Sequence, residues 1–220
     1  MILGELGIRI GPIIAAAGVA GVAIGFGAQN LVRDVITGFF ILWDGVIRVG
    51  DVVQIAGKGG LVEEVNIRYT ILRDLAGSIH YIRNGEITTV TNMTKDFSYY
   101  VFDIGVAYQE NVDQVIEVIK QVDADMRQDP AFSEMIIAPI EVLGLDQFGD
   151  SAVIIKARTK TKPIMQWSVG HEFNKSLKKT FDEKNIEIPF PHITFYAGKD
   201  KDGNSPPVNV QVDRGSAASK

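Results

Sequence analysis

Histidines, acidic pairs and one glycine-rich lysine turn are the residues of this chain whose types could do chemistry, and their spacing argues against it. His80, His171 and His192 stand far apart, and no HExxH-type spacing puts two of them on one helical face for a metal. Glu63-Glu64 and Asp123/Asp125 are close enough for one carboxyl to hold a proton while its neighbour stays ionised, as general acid–base work requires. Each pair fits a solvated strand or helix face better. Gly57-Lys-Gly-Gly60 offers amides and an ammonium to a phosphate, but it lacks the Walker spacing and the following helix, so it reads as a hairpin turn. The absence of cysteine excludes disulfides, thiolate catalysis and Cys-ligated zinc. We therefore expect a non-enzyme with no cofactor and no metal.

What must be positioned instead is an apolar run. Ile10 to Leu31 holds no charged residue over 22 positions, enough to cross a hydrocarbon core of ~30 Å as a helix. It is too long for a secretory signal peptide, and no cleavage site leads into a polar chain. Half of it is Gly and Ala. At ~100° per residue, Gly18, Gly21, Gly25 and Ala28 fall on one flank, and Ala16, Ala20, Ala23 and Gly27 on another about 140° away. Ala15, Val19, Val22 and Phe26 occupy the arc between them, and Ile13, Ala17, Ile24 and Leu31 the remaining face. Small flanks let neighbouring helices approach closely. A helix needing the same neighbour on both sides suits a closed ring, whose inner wall would be Val19, Val22 and Phe26. An apolar ring of that kind resists wetting. A single-pass anchor or an ordinary packing span is equally open on periodicity alone.

The totals agree with a membrane segment followed by water-soluble domains. The chain has 220 residues, a net charge of −5 and a pI near 5.2, a balance that disfavours nucleic acid. Gly11-Pro12 suits a helix start. Arg33-Asp34 marks the membrane interface, because charges at bilayer depth are costly. Val35 to Trp43 is too short to span again and ends in an interfacial residue, so we expect a second, shorter helix along the surface. Asn30 and Gly38 are the weak helix formers where the chain could bend, and either equally suits a tolerated defect in a straight helix.

From Asp44 the pattern changes to short strands with glycine-rich turns, over Val46–Ile55, Leu61–Arg68, Tyr69–Arg73 and Ser78–Arg83, which suggests a small barrel. Asn84-Gly85 reads as a hairpin turn. From Tyr99, a strand over Val101–Tyr108, a helix over Asn111–Arg127, strands over Pro139–Leu145 and Ser151–Thr159, a helix over Ile164–Asn185 and a last strand over Ile193–Tyr196 give the β-α-β-β-α-β order of ferredoxin-like domains. The tail from Gly198 has the composition of a disordered segment.

These pieces together resemble a known family. Gly18-Val-Ala-Gly-Val-Ala-Ile-Gly-Phe-Gly-Ala-Gln-Asn-Leu-Val-Arg-Asp-Val-Ile-Thr-Gly-Phe-Phe-Ile-Leu42 is similar to the pore helix of the small-conductance mechanosensitive (MscS-like) channels. The likeness continues through Arg48-Val-Gly-Asp-Val-Val53, Gly60-Leu-Val-Glu-Glu-Val65, Ile82-Arg-Asn-Gly-Glu-Ile87 and Ile188-Pro-Phe-Pro191, in the family's order. The resemblance implies a membrane protein: an α-helical pore span, then a small Sm-like β barrel and an α+β ferredoxin-like domain. It implies residues 1–43 as pore helix plus kinked interfacial helix, 44–97 as the Sm-like domain, 98–197 as a vestibule domain with a C-terminal strand, and 198–220 as a disordered tail.

The family's function would be a tension-opened, weakly selective pore of seven copies of one chain, releasing ions and small solutes on osmotic downshock from the cell's inner membrane. Residues after about Arg33 would be cytoplasmic, the partners would be other copies, lipids and the permeating solutes, and there would be no nucleic acid. Matched by position, Val22 and Phe26 fall on the constriction rings beside Val19. Gly21, Gly25, Ala20 and Ala23 fall in the helix–helix seam, to which the wheel adds Gly18, Ala16 and Gly27, and Asn30 and Gly38 fall on two hinges. Departures are Asn30 in place of glycine, which favours Gly38 as the bend, Phe26 in place of leucine, and Arg83 where proline is common. The family places further membrane helices before the pore helix, so this chain reads as part of a longer, multi-pass protein. The rival expectation is a single-span protein presenting Sm-like and ferredoxin-like binding domains.

Overall fold

A computed structural model describes residues 10–193. Helix α1 runs over Ile10–Asp44, 35 residues without interruption. At 1.5 Å per residue it is about 52 Å long, well beyond a hydrocarbon core of ~30 Å. Each of its glycines costs about 1 kcal/mol in a water-exposed helix, but in lipid every backbone amide must be satisfied within the segment, which enforces the helix. Asn30 and Gly38 both lie within this continuous helix, so the segment after Leu31 is not a separate, shorter helix.

Five short strands follow: β1 (Val52–Ile55), β2 (Lys58–Val65), β3 (Tyr69–Arg73), β4 (Ile79–Arg83) and β5 (Val90–Asn92). They form one antiparallel sheet of order β4-β3-β2-β1-β5, with a bulge in β2 between Val62 and Glu64 that bends it. Val53, Ile55, Val62, Leu72 and Ile82 form its core, joined by Ile47 and by Ile41 from the end of α1.

Three local expectations are corrected here. The strand expected from Val46 begins only at Val52, because Arg48 and Asp51 close a turn on each other. The first hairpin turns at Ala56-Gly57, with Ile55 paired to Lys58, so Lys58–Gly60 belong to β2. Both turn residues have positive φ, 45° and 74°. Asn84-Gly85 makes no hairpin. It opens a single 3-10 turn, Asn84–Glu86, because the Asn84 side chain is buried and committed elsewhere.

The second domain comprises β6 (Ser98–Val106), α2 (Val112–Gln128), β7 (Glu141–Phe148), β8 (Val153–Thr161) and α3 (Gln166–Glu183). The sheet order β6-β8-β7, antiparallel throughout, is that of a ferredoxin-like arrangement through its first five elements. After α3 the chain returns to β6, where Ala107 N–H donates to the Glu187 carbonyl at 3.0 Å. Asn111 caps α2 by accepting from the Asp113 and Gln114 amides. Val115, Ile119, Val122 and Met126 of α2 and Val169, Phe173, Leu177 and Phe181 of α3 cover one sheet face. Gly170 is required there, since a Cβ would stand 2.3 Å from the Tyr100 ring. The last expected strand beyond Ile193, the tail over 198–220 and the first nine residues lie outside the described residues.

Candidate functional site

The sequence-predicted pore face is uncovered in the protomer. Every residue from Gly11 to Gly27 is exposed, with Val19 at 73%, Val22 at 59% and Phe26 at 75% of their full surface. At Gly18, Gly21, Gly25 and Gly27 nothing lies within 4 Å of where a Cβ would stand. Ala16, Ala20 and Ala23 are equally bare. So much contiguous apolar surface requires lipid or other copies of the chain to cover it.

The helix changes character at Asp34. Asp34, Gly38 and Ile41, at i, i+4 and i+7, form a buried stripe docked on the β domain. Asp34 is only 3% exposed. Its Oδ1 accepts from the Gly85 amide at 3.0 Å, and its Oδ2 lies 3.9 Å from Nε of Arg68. One turn on, Gly38 admits the loop between β2 and β3. A Cβ there would stand 2.0 Å from the Ile67 carbonyl oxygen and 2.4 Å from Asn84 Nδ2. Gly85 is tight from the other side, where a Cβ would meet Asp34 Oδ1 at 2.5 Å. Each glycine therefore lets the other's element come close.

Beneath this contact a buried polar side chain is hydrogen-bonded through both its nitrogen and its oxygen. Asn84 Nδ2 donates to the Asn66 carbonyl at 2.8 Å, its Oδ1 accepts from Thr70 Oγ1 at 2.9 Å, and its amide donates to the Arg68 carbonyl at 2.9 Å. Asn66 Oδ1 in turn accepts from the Arg68 and Tyr69 amides. The turn that receives the helix is thus braced by a connected polar network. On the opposite side of α1, Phe39, Phe40 and Trp43 are exposed, with Phe39 and Trp43 stacked at 5.7 Å. Exposed aromatic residues just past an apolar span suit a membrane–water interface.

Sequence reasoning missed the Asp34–Gly85–Arg68 junction. Arg33-Asp34 signalled only a change of solvent, and Asn84-Gly85 only a turn.

The residues weighed for chemistry are dispersed and held structurally. His80 Nε2 pairs with Asp74 Oδ2 at 3.0 Å, whereas the His192 amide donates to Ser151 Oγ at 2.9 Å. Glu63 pairs with Arg73 and Glu64 accepts from Asn66. Asp123, expected on a solvated face, is buried: its Oδ2 accepts from the Ile140 amide at 3.1 Å and from Arg127 at 2.8 Å. That amide follows Pro139 at the entry to β7 and has no strand partner, which explains why an acid sits inside. Among the described residues, no three His, Asp or Glu side chains gather where a metal could be held.

Comparison with known proteins covers almost the whole chain. Three family models match in sequence: "Mechanosensitive ion channel, transmembrane helices 2/3" over residues 1–29, "Mechanosensitive ion channel, beta-domain" over 30–95, and "Mechanosensitive ion channel MscS, C-terminal" over 100–188. A small-conductance mechanosensitive channel of Caldanaerobacter subterraneus subsp. tengcongensis is 40% identical, over 86% of this chain and 66% of that protein. An uncharacterized MscS family protein of Archaeoglobus fulgidus is 31% identical over 90% of this chain and 69% of its own length. The moderate conductance mechanosensitive channel YbiO of Escherichia coli is 31% identical over 86% of this chain but only 26% of its own length. The chain therefore spans between about a quarter and two thirds of these relatives. The crystal structure of Helicobacter pylori MscS in a closed state shares the fold, with a TM-score of 0.74 at 24% identity, over 90% of this chain and 78% of that one.

Proposed function

This chain belongs to the MscS family of mechanosensitive channels, and on that premise we propose that α1 is one stave of a tension-gated pore built from identical subunits. The observation that carries the reading is the division of a single helix into a bare apolar part and a part locked to its own β domain. A helix bare on both small-residue flanks is completed by a copy on each side, with the Gly flank of one against the Ala flank of the next. Val19, Val22 and Phe26 then face the axis. Seven copies, as the resemblance implies, leave a narrow apolar lumen in which water is unstable, so ions are stopped without a plug.

Membrane tension favours the state of larger in-plane area. Opening tilts and rotates the staves, and small residues ease the sliding because few side chains must disengage. The Asp34–Gly85 junction carries this rotation to the β domain, and Phe39, Phe40 and Trp43 keep the lower helix against the lipid surface. A hinge at Gly38 in this scheme requires the Ile67 and Asn84 contacts to loosen, because they occupy the space a bend needs. The open pore is weakly selective and releases small solutes on osmotic downshock across the inner membrane, with residues beyond Arg33 on the cytoplasmic side.

The test is recording from membrane patches holding the full-length protein while suction is graded. Stretch-activated, stepwise currents are the expected result. A purified assembly that stays monomeric and carries no current at lytic suction contradicts the reading.

A further inference from the structure

The inward face of α1 continues past Phe26. Because the helix is unbroken at Asn30, its residues keep turning at about 100° each, and Gln29 and Arg33 fall within about 20° of Val22. Val19, Val22, Phe26, Gln29 and Arg33 thus make one line that passes from apolar to polar to cationic as the helix nears the β domain. The two charges at its end have opposite fates. Asp34 is buried and committed to the Gly85 amide and Arg68. Arg33 is exposed, and among the described residues no carboxylate lies within 4 Å of its guanidinium. Its stem is braced: a Cβ on Gly85 would stand 3.0 Å from Arg33 Cγ and 3.2 Å from Cδ. The stem of Arg33 is therefore packed on the same turn that holds Asp34, while its guanidinium makes no ion pair among the described residues.

We infer that Arg33 is the charge-selecting residue of the pore, forming a cationic ring at the inner mouth that favours anions among the permeating solutes. This rests on the pore reading above. Repeated around an axis, an unpaired cation beside low-dielectric walls raises the local concentration of anions and lowers that of cations. Sequestration of Asp34 is part of the device, since an accessible carboxylate at the next position would cancel the field. Salt screens such a ring, because the Debye length falls from about 10 Å at 0.1 M to about 3 Å at 1 M, so the preference weakens as ionic strength rises.

Reversal potentials of the full-length channel in asymmetric KCl test this. The wild type should reverse on the chloride side of zero and Arg33→Lys should preserve that sign. Arg33→Gln should move the reversal toward zero, and Arg33→Glu should invert it, each shift growing as salt is diluted. Where a charge-reversed variant fails to assemble, Arg33→Cys decides. These 220 residues hold no other cysteine, and the full-length channel with Arg33 intact, exposed to the same cationic and anionic methanethiosulfonate reagents, controls for thiols elsewhere in the protein. Restoration of anion preference by the cationic reagent, and its further loss with the anionic one, support the ring. A tension-gated wild type with no anion preference, reversal potentials unmoved in Arg33→Glu, or an Arg33→Cys channel indifferent to both reagents overturns it and leaves the pore reading standing. Absence of any tension-gated current in the wild type strikes the pore reading instead.

Discussion

The amide of Gly85 donates to the carboxylate of Asp34 at 3.0 Å, joining the lower end of the apolar helix to a turn 51 residues away. The bond is part-buried and leaves one carboxylate oxygen for Arg68. In the proposed gating scheme it is the point at which a movement of the apolar helix reaches the β domain.

Replacing Asp34 separates its two roles. Asp34→Ala leaves the Gly85 amide without its acceptor and should destabilise the junction by about 1–3 kcal/mol, the usual cost of an unsatisfied buried group. Asp34→Asn keeps an acceptor for Gly85 and loses the attraction to Arg68, so its effect should be smaller. Current decay under sustained suction checks both: Asp34→Ala should alter it strongly and Asp34→Asn mildly. Identical behaviour of wild type and Asp34→Ala would show that the junction transmits nothing.

Phe26→Ser should open at lower tension. A hydroxyl in place of an exposed aromatic ring gives water a partner at the narrowest part of the proposed lumen. The ratio of its suction threshold to that of the wild type is the readout, and a ratio of one removes Phe26 from the gate.

Ala56 occupies a left-handed position, with φ 45°, before Gly57 in the turn between β1 and β2. That conformation costs an L-residue about 1–2 kcal/mol, and Asn tolerates it better. Ala56→Asn should therefore raise the unfolding temperature of the β domain, read by thermal denaturation, without changing the gating threshold. A lowered melting temperature would contradict the assigned turn.

Acid should weaken the tip of the β3–β4 hairpin. The Asp74 carboxyl is held below its ordinary range, first by the hydrogen bond with His80 and then by the Ser78 amide. A lowered folded-state pKa means the contribution is complete above the unfolded carboxylate value and is lost as pH falls through the folded one. The wild type should melt higher than Asp74→Asn at neutral pH, and the gap should close as the pH drops below about 4. A gap that stays constant across that range would show that the carboxylate's charge plays no part.

Much of the fold was legible because its signals are local and periodic. The apolar run from Ile10, the alternation in β8 and the spacing of Val115, Ile119 and Val122 each follow from one element burying one face. Long-range partners were not legible. Asn84-Gly85 carried a strong turn signal, yet its outcome was set by α1, Thr70 and Asn66, none of which is near it in sequence. Gly38 looked like a weak point in a helix, whereas the space around it is filled by Ile67 and Asn84. Asp123 resembled any polar residue on a helix face, and only the unpaired Ile140 amide accounts for its burial. The wall of the proposed pore was readable for the opposite reason. Among the described residues nothing packs against it, so its pattern of small and apolar residues could be read without knowing any long-range partner.

Imaging the purified full-length assembly in a lipid disc, at a resolution that shows side chains, tests the central claim most directly. The account predicts a ring of identical helices with Val19, Val22 and Phe26 pointing at an axial opening and the glycine flank of each helix against the alanine flank of the next. A map in which those three side chains face lipid, or in which no opening lies between the helices, contradicts it.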